Sequence, residues 1–370
     1  MILSVLNYIV LNSIIYGAFC AVIWFPFATR LAWIILATIC FYISVSITNL
    51  LWNKINIPKA FEEPDDRAVF ITGCDSGFGN KLARRLHAYG FYVYAGCLFP
   101  SGPGASELKQ VCPQNLEIIK LDVTKDEDVE AARIQVERSL KNRQLWALVN
   151  NAGILVSTEI EMGDMKAFTR QMDINCMGTV RVTKAFVPFL RQSKGRVVNV
   201  GSLAGRYCIP GMVGYSMSKA AVISFSEGLR REMKKWSIDV ISIEPHLFKT
   251  NLCNDEAQKK ELVKAWEQTP EQIRKAYGEC YLDGYQKFLD KILGSARPQI
   301  DRVVDTMMMA VTEKFVGHTY TVMGDVERIR VTLYDYLPVR LLDAVSHQLS
   351  VFYTGQPAFI KALYEKKKAL

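Results

Sequence analysis

Charge is missing where this chain begins. Residues 1–29 carry no charged side chain, residues 31–53 carry none either, and Arg30 stands alone between the two runs. The lack of arginine before Arg30 argues against a mitochondrial presequence, and the missing basic start together with the length of the apolar run argues against a secretory signal peptide. Each run exceeds the about 20 residues that a bilayer crossing needs. Two membrane segments are therefore expected, at about residues 2–25 and 31–52, or one hairpin held in a leaflet. Two crossings leave both flanks on one side, and Lys54 and Lys59 put the rest of the chain in the cytosol.

Other absences narrow the chemistry. The nine cysteines (20, 40, 74, 97, 112, 176, 208, 253 and 280) contain no Cys-x2-Cys and have no histidine at ligand spacing, so no metal site is expected. Several sit in apolar runs, where cysteine acts as a small hydrophobe, and the setting reads as reduced and intracellular. Lys and Arg outnumber Asp and Glu by 45 to 37, a mild excess. No basic stripe interleaved with aromatics appears, so nucleic acid is not an expected partner. No repeat or low-complexity segment is evident.

A polar linker, residues 54–66, carries Pro58 and Pro64, and a domain is expected over 67–350. Short apolar runs at 68–71, 91–97, 116–121, 146–149, 196–200, 238–243 and 320–323 read as buried parallel strands. Helical stretches alternate with them. The expected fold class is α/β, a doubly wound parallel sheet of Rossmann type in three layers. Residues 251–297 are charged and helical in period, and read either as a lid over a site or as a plain packing element. Residues 334–351 read as one amphipathic element that could lie on a membrane surface or pack on the domain. A basic tail fills 351–370.

The first strand runs into Thr72-Gly73-Cys74-Asp75-Ser76-Gly77-Phe78-Gly79, and a helix follows. Strand, glycine turn and helix are the context of a dinucleotide fingerprint, in which glycines admit a pyrophosphate and the helix N-terminus donates to it. The spacing Gly-x3-Gly-x-Gly departs from the usual Gly-x-Gly-x2-Gly. Ligands of such sheets sit at the carboxyl ends of strands. Asp75, Asp122 with Val123, Asn150-Asn151-Ala152-Gly153, Ser202 and Pro245 fall there, and Asp122 could accept from an adenine amino group. After the second strand, Cys97, Leu98 and Phe99 offer no arginine for a 2′-phosphate, and Asp75 would repel one. NAD is the expected cofactor, with NADP second.

Tyr215 and Lys219 lie four residues apart, on one face of a helix. A free phenol titrates near ~10. A neighbouring ammonium favours the phenolate, so such a pair can exchange a proton near neutral pH.

In order and spacing, Thr72-x4-Gly77-x-Gly79, Asn150-Asn151-Ala152-Gly153, Ser202 and Tyr215-x3-Lys219 resemble the short-chain dehydrogenase/reductase family over about residues 67–350. Four stretches, 72–79, 101–108, 193–200 and 336–338, resemble its membrane-anchored branch. That branch holds 17β-hydroxysteroid dehydrogenase type 2, the microsomal retinol dehydrogenases and 3-hydroxybutyrate dehydrogenase. The resemblance implies oxidation of a lipophilic secondary or allylic alcohol, a hydroxysteroid first and a retinol second. A small polar hydroxyacid is one rival, and a dinucleotide-binding scaffold without chemistry is another.

The resemblance also implies roles. Tyr215 is the general acid/base, Lys219 tunes it and holds ribose hydroxyls, and Ser202 polarises the substrate oxygen. Asn175 holds a relay water, and Thr250 contacts the nicotinamide carboxamide. His246 departs from the family, which usually has glycine there; its expected effect is weaker cofactor binding or a place in the substrate pocket. A homodimer through the Tyr215 helix is possible by the same analogy. The ending Lys367-Lys368-Ala369-Leu370 resembles a dilysine retrieval signal, implying the endoplasmic reticulum membrane with a cytosolic catalytic domain.

Overall fold

The structure, a computed structural model, describes residues 10–18, 30–52, 61–355, 357–358 and 360–361. The chain divides into two compact units, Met1–Ala60 and Phe61–Leu370.

In the first unit, residues 10–18 are helical and helix α1 spans Arg30–Trp52. Ser44 and Thr48 donate to the side-chain oxygen of Asn12, at 2.9 and 3.4 Å, so the polar groups of these apolar stretches satisfy one another. No helix among the described residues is long and apolar enough to cross a membrane. Residues 2–9 and 19–25 of the first run, linker residues 54–60 and the tail from 362 lie outside the described residues.

The second unit is built on seven parallel strands. They are β1 (Arg67–Thr72), β2 (Tyr92–Cys97), β3 (Leu116–Lys120), β4 (Gln144–Asn150), β5 (Arg196–Val200), β6 (Asp239–Pro245) and β7 (Thr319–Val322). Their order is β3-β2-β1-β4-β5-β6-β7. The chain therefore reverses its direction of winding between β1 and β4, the point where ligands of such sheets bind. The central strands are apolar on both sides because both faces are covered. Residues 68–71 are fully buried.

One face packs under α2 (Gly77–Tyr89), α3 (Pro103–Val111) and α11 (Asp301–Thr312), through Leu82, Leu86, Leu108, Val303 and Met307. The other packs under α4 (Asp126–Leu140), α6 (Gly178–Ser193) and α7 (Val213–Met233), through Val129, Val136, Phe186 and Leu229. The start of the unit lies earlier than residue 67. Glu62 donates its N–H to Thr312 at 2.7 Å, and its carboxylate pairs with Arg67 at 2.6 Å.

Residues 251–297 hold three helices, α8 (Asp255–Gln268), α9 (Glu271–Tyr277) and α10 (Glu279–Gly294), with their own core of Leu262, Trp266, Tyr285 and Leu289. The C-terminal stretch is two helices and not one: α12 (Asp325–Tyr336) and α13 (Val339–Thr354). Pro338 separates them. A proline inside a helix would remove a hydrogen bond and clash with the preceding turn, whereas before α13 it begins a new one.

Candidate active site

At the carboxyl ends of β1, β4, β5 and β6 lies a cavity of about 1020 Å³. One half is a groove over the glycine turn. Gly73 has φ +71°, and a Cβ there would stand 2.9 Å from the Ala152 Cα. Only glycine takes that backbone without strain while the β4 loop lies so close. At Gly79 a Cβ would meet the Gly73 carbonyl at 2.5 Å, so helix α2 can start directly against the turn. Neither an acidic residue nor a side-chain cap occupies the first turn of α2. Its exposed N–H groups suit a pyrophosphate.

Gly73, Asp75, Ser76, Gly77 and Phe78 line this groove, as do Asp122, Val123, Ala152 and Gly153. Burial works against ionisation of Asp122, but hydrogen bonds from the Thr124 hydroxyl and N–H, with the charges of Lys125 and Lys120, outweigh it and lower its pKa. Asp75 accepts from the N–H groups of Leu98 and Phe99, both at 2.9 Å. It thereby fixes the loop after β2, where a ribose would rest.

Three expected cofactor residues stand behind the wall instead of on it. Thr72 uses its hydroxyl to accept from the N–H groups of Asn151 and Ala152, both at 3.0 Å. Gly79 supplies room for the turn. Asn150 points into the sheet, donating to Thr183 and to Asn199, its neighbour on β5, at 2.9 Å each. Its neighbour Asn151 is on the cavity wall and donates to the carbonyls of Thr72 and Gly73 at 2.9 and 3.1 Å. The clip between β1 and β4 is thus the second asparagine.

The other half of the cavity opens around Ser202, Tyr215 and Lys219. Ser202 follows β5, accepts from the Ala204 N–H at 3.1 Å, donates to the Pro245 carbonyl at 3.4 Å and bonds the Tyr215 phenol. Lys219, 4% exposed, donates to the Val200 carbonyl at 2.9 Å. Burial pushes the phenol of Tyr215 up to about 12; the Ser202 hydrogen bond opposes this, and the nearby Cys253 thiol adds to it. Burial also brings Lys219 down to about 8, partly offset by the neighbouring Cys176. Desolvation of the phenolate is the largest effect on this phenol.

Asn175 sits in a π-helical turn, Asp173–Met177, between α5 (Met165–Met172) and α6. Such bulges often mark functional sites. Its carbonyl oxygen accepts from the Ile154 N–H at 2.8 Å. Its amide donates to the Ile154 carbonyl and to the Ser218 hydroxyl, at 2.9 Å each. At Gly153 a Cβ would come within 3.2 Å of Asn175 and 3.5 Å of the Lys219 ammonium, so the glycine keeps the space between them open.

Pro245 and Thr250 line the cavity from the loop after β6, and His246 lines it too. His246 is absent from the residues with positive φ, and its N–H donates to Val322 at 2.9 Å. The histidine therefore takes the place of glycine without a left-handed backbone.

Sequence reasoning missed Ser218, the pairing of Arg206 with Glu244, and the wall of the open end. No local motif marks them, since each is defined by what the fold brings near. Among the described residues no group of His, Cys, Asp and Glu could hold a metal ion.

The family model for short chain dehydrogenase matches residues 67–261. Retinol dehydrogenase 7 of Rattus norvegicus is 39% identical over 305 residues, covering 81% of this chain and 95% of that protein. The 17-beta-hydroxysteroid dehydrogenase type 2 of Homo sapiens is 37% identical over 281 residues, covering 75% and 72%. A solved short chain dehydrogenase/reductase from Burkholderia phymatum, in complex with NAD, shares the fold with TM-score 0.59 at 19% identity, covering 74% of this chain and 94% of that one. The chain belongs to the short-chain dehydrogenase family. It is an NAD(P)-dependent alcohol dehydrogenase.

Proposed function

We propose that this enzyme oxidises the secondary or allylic hydroxyl of a lipophilic alcohol, a hydroxysteroid first and a retinol second, with NAD. The apolar wall beyond Tyr215, formed by Leu155, Ile209, Met212, Leu247, Leu252 and Phe288, carries this reading. The names of the similar proteins, a retinol dehydrogenase and a 17-beta-hydroxysteroid dehydrogenase, agree with it. A 3-hydroxybutyrate would need a cation for its carboxylate. Arg170 and Lys291 are on the cavity wall, but they stand against a mostly apolar lining.

Bound dinucleotide would supply the hydride acceptor. Thr250 and Pro245 would hold its nicotinamide end, Asp122 its adenine, and the first turn of α2 its phosphates. As its phenolate, Tyr215 would accept the proton of the substrate hydroxyl. Ser202, bonded to the same phenol, donates to the substrate oxygen as carbonyl character develops. Lys219 supplies positive charge beside the phenolate and reaches the ribose hydroxyls. Asn175 fixes the Ile154 backbone and Ser218 and orders the path by which the proton leaves. NAD is preferred over NADP because Leu98 and the carboxylate of Asp75 line the ribose end of the cavity.

The same reading includes a membrane anchor. Its support is the two uncharged runs and the exposed Ile34, Ile35, Ile39 and Tyr42 of α1. The dilysine ending supports the endoplasmic reticulum, facing the cytosol. Residues 67–350 form the catalytic domain in this reading, with 251–297 as its lid. The outer face of α7, where Met217 is exposed, would serve a homodimer.

The test is NADH formation by membranes containing the protein, with NAD and NADP in parallel against hydroxysteroids, retinols and 3-hydroxybutyrate. Turnover of a steroid or retinol that vanishes with Tyr215→Phe is expected. Turnover of 3-hydroxybutyrate alone would overturn the substrate class.

A further inference from the structure

Behind the active-site wall, Arg206 and Glu244 form a pair that the chemistry above does not use. Arg206 Nε donates to Glu244 Oε2 at 2.9 Å, and its Nη2 donates to Oε1 at 2.8 Å. This is the two-bond fork of a guanidinium on a carboxylate, which fixes orientation as well as distance. Glu244 is fully buried and also accepts from the Ser242 hydroxyl at 3.1 Å. A buried carboxylate paired in this way adds little stability over apolar side chains of the same size. What the fork does supply is a fixed relation between the two segments it joins.

Those segments carry the site. Arg206 ends the short turn Leu203–Gly205, which Ser202 caps. Glu244 is the residue before Pro245, at the carboxyl end of β6. The same turn is pressed against the helix of Tyr215 and Lys219. A Cβ on Gly205 would come within 2.7 Å of the Lys219 carbonyl carbon and 2.8 Å of the Ala220 nitrogen. Glycine therefore lets the turn rest directly on α7. The turn is gripped on two sides, by this contact and by the fork on β6. Among the described residues, Ser202, Leu203, Ala204 and Pro245 line the cavity, and neither Arg206 nor Glu244 does.

We propose that Arg206, through its fork on Glu244, is a positioning residue that aims the Ser202 hydroxyl at the reacting oxygen. The proposal rests on the reading of Ser202 as donor to the substrate oxygen, and it names the part of the fold that aims it. A serine hydroxyl turns about a single bond, so its neighbours set its direction. Those neighbours are the Ala204 N–H, the Pro245 carbonyl and the Tyr215 phenol. They belong to the turn, the strand and the helix that the grip holds together. Misplacement by about 1 Å at a reacting centre can cost ~10²-fold in rate.

The test uses the full-length enzyme and an alcohol that it oxidises. Arg206→Lys keeps a charge beside the buried carboxylate and loses the fork. Its kcat should fall about tenfold, with NADH affinity and melting temperature close to those of the parent. Arg206→Lys is then combined with Ser202→Ala. Acting through the serine, the arginine has nothing left to aim, so the double variant should match the kcat of Ser202→Ala alone. A double variant slower by a further tenfold overturns the positioning role and leaves the serine's role intact. A Ser202→Ala enzyme as fast as the parent overturns both. An unchanged kcat in Arg206→Lys, or a loss of NADH affinity with kcat kept, also overturns the positioning of the serine. Should the lysine variant not accumulate as folded protein, Glu244→Gln, which keeps the shape and one acceptor, takes its place in the same cycle.

Discussion

The ammonium of Lys219 stands 5.8 Å from the centre of the Tyr215 ring, with its hydrogen bond directed to the Val200 carbonyl. The two groups are neighbours on the cavity wall, and burial raises the pKa of the phenol and lowers that of the ammonium. Tyr215→Phe removes the proton acceptor and keeps the ring. Turnover should fall by about 10²–10⁴-fold while the melting temperature stays within a degree or so. Retained turnover in an NADH-formation assay would remove Tyr215 from the acid/base role.

Lys219 also makes a stability prediction with a definite sign. Its value in the fold, about 8, lies below the ordinary 10.5. Between those values the unfolded chain binds the extra proton, so stability rises with pH. The cost of burying the charge is full below about 8 and gone above about 10.5. Lys219→Met should therefore melt higher than the parent at pH 7, and the gap should close by pH 10.5. The comparison is made without dinucleotide, by thermal melts across that range. A gap that widens with pH would contradict the direction.

Arg206 clasps Glu244 with two hydrogen bonds, at 2.9 and 2.8 Å, and the glutamate is fully buried. Arg206→Ala leaves that carboxylate facing only the Ser242 hydroxyl among its hydrogen-bond partners. The carboxylate is buried while the arginine is 40% exposed, so loss of the guanidinium should cost about 1–3 kcal/mol, the penalty of a buried acceptor left short of partners. Chemical denaturation should show that loss, and adding Glu244→Gln should recover part of it.

Gly73→Ala places a methyl against the β4 loop in a left-handed backbone. Strain of about 1–2 kcal/mol is expected, and the loop must shift. Weaker NADH binding, by about tenfold or more, should appear in fluorescence titration. Unaltered affinity would mean that the turn does not carry the dinucleotide.

Leu98→Arg tests the ribose end. A guanidinium there should raise the use of NADP relative to NAD, read as the ratio of kcat/KM for the two. An unmoved ratio would place the discriminating contact elsewhere.

Much of the sheet is legible in the sequence, for a physical reason. Strands covered on both faces are continuous apolar runs, and residues just beyond several of them line the cavity. The ends drift by a residue or two, as with β4, which extends to Gln144 and Asn150. The order of Ser202, Tyr215 and Lys219 is legible too, and the fold brings them to one wall. The roles of Asn150 and Asn151 are not. Consecutive residues of an extended chain face opposite ways, so a displacement of one exchanges the clip and the sheet polar pair. The shift of Tyr215 is equally hidden, because desolvation depends on what the lid and the β6 loop cover. The break at Pro338 was readable from its chemistry, yet the amphipathic pattern runs across it.

The pairing of β1 with β4 has a consequence for synthesis. β1 finds β2 soon after leaving the ribosome, but its other edge pairs with residues 144–149. Roughly seventy residues separate the two, several seconds of translation at ~5–20 residues per second. Through that interval the nascent chain shows a bare strand edge in the very place where the dinucleotide will later lie. The cleft closes only when β4 arrives.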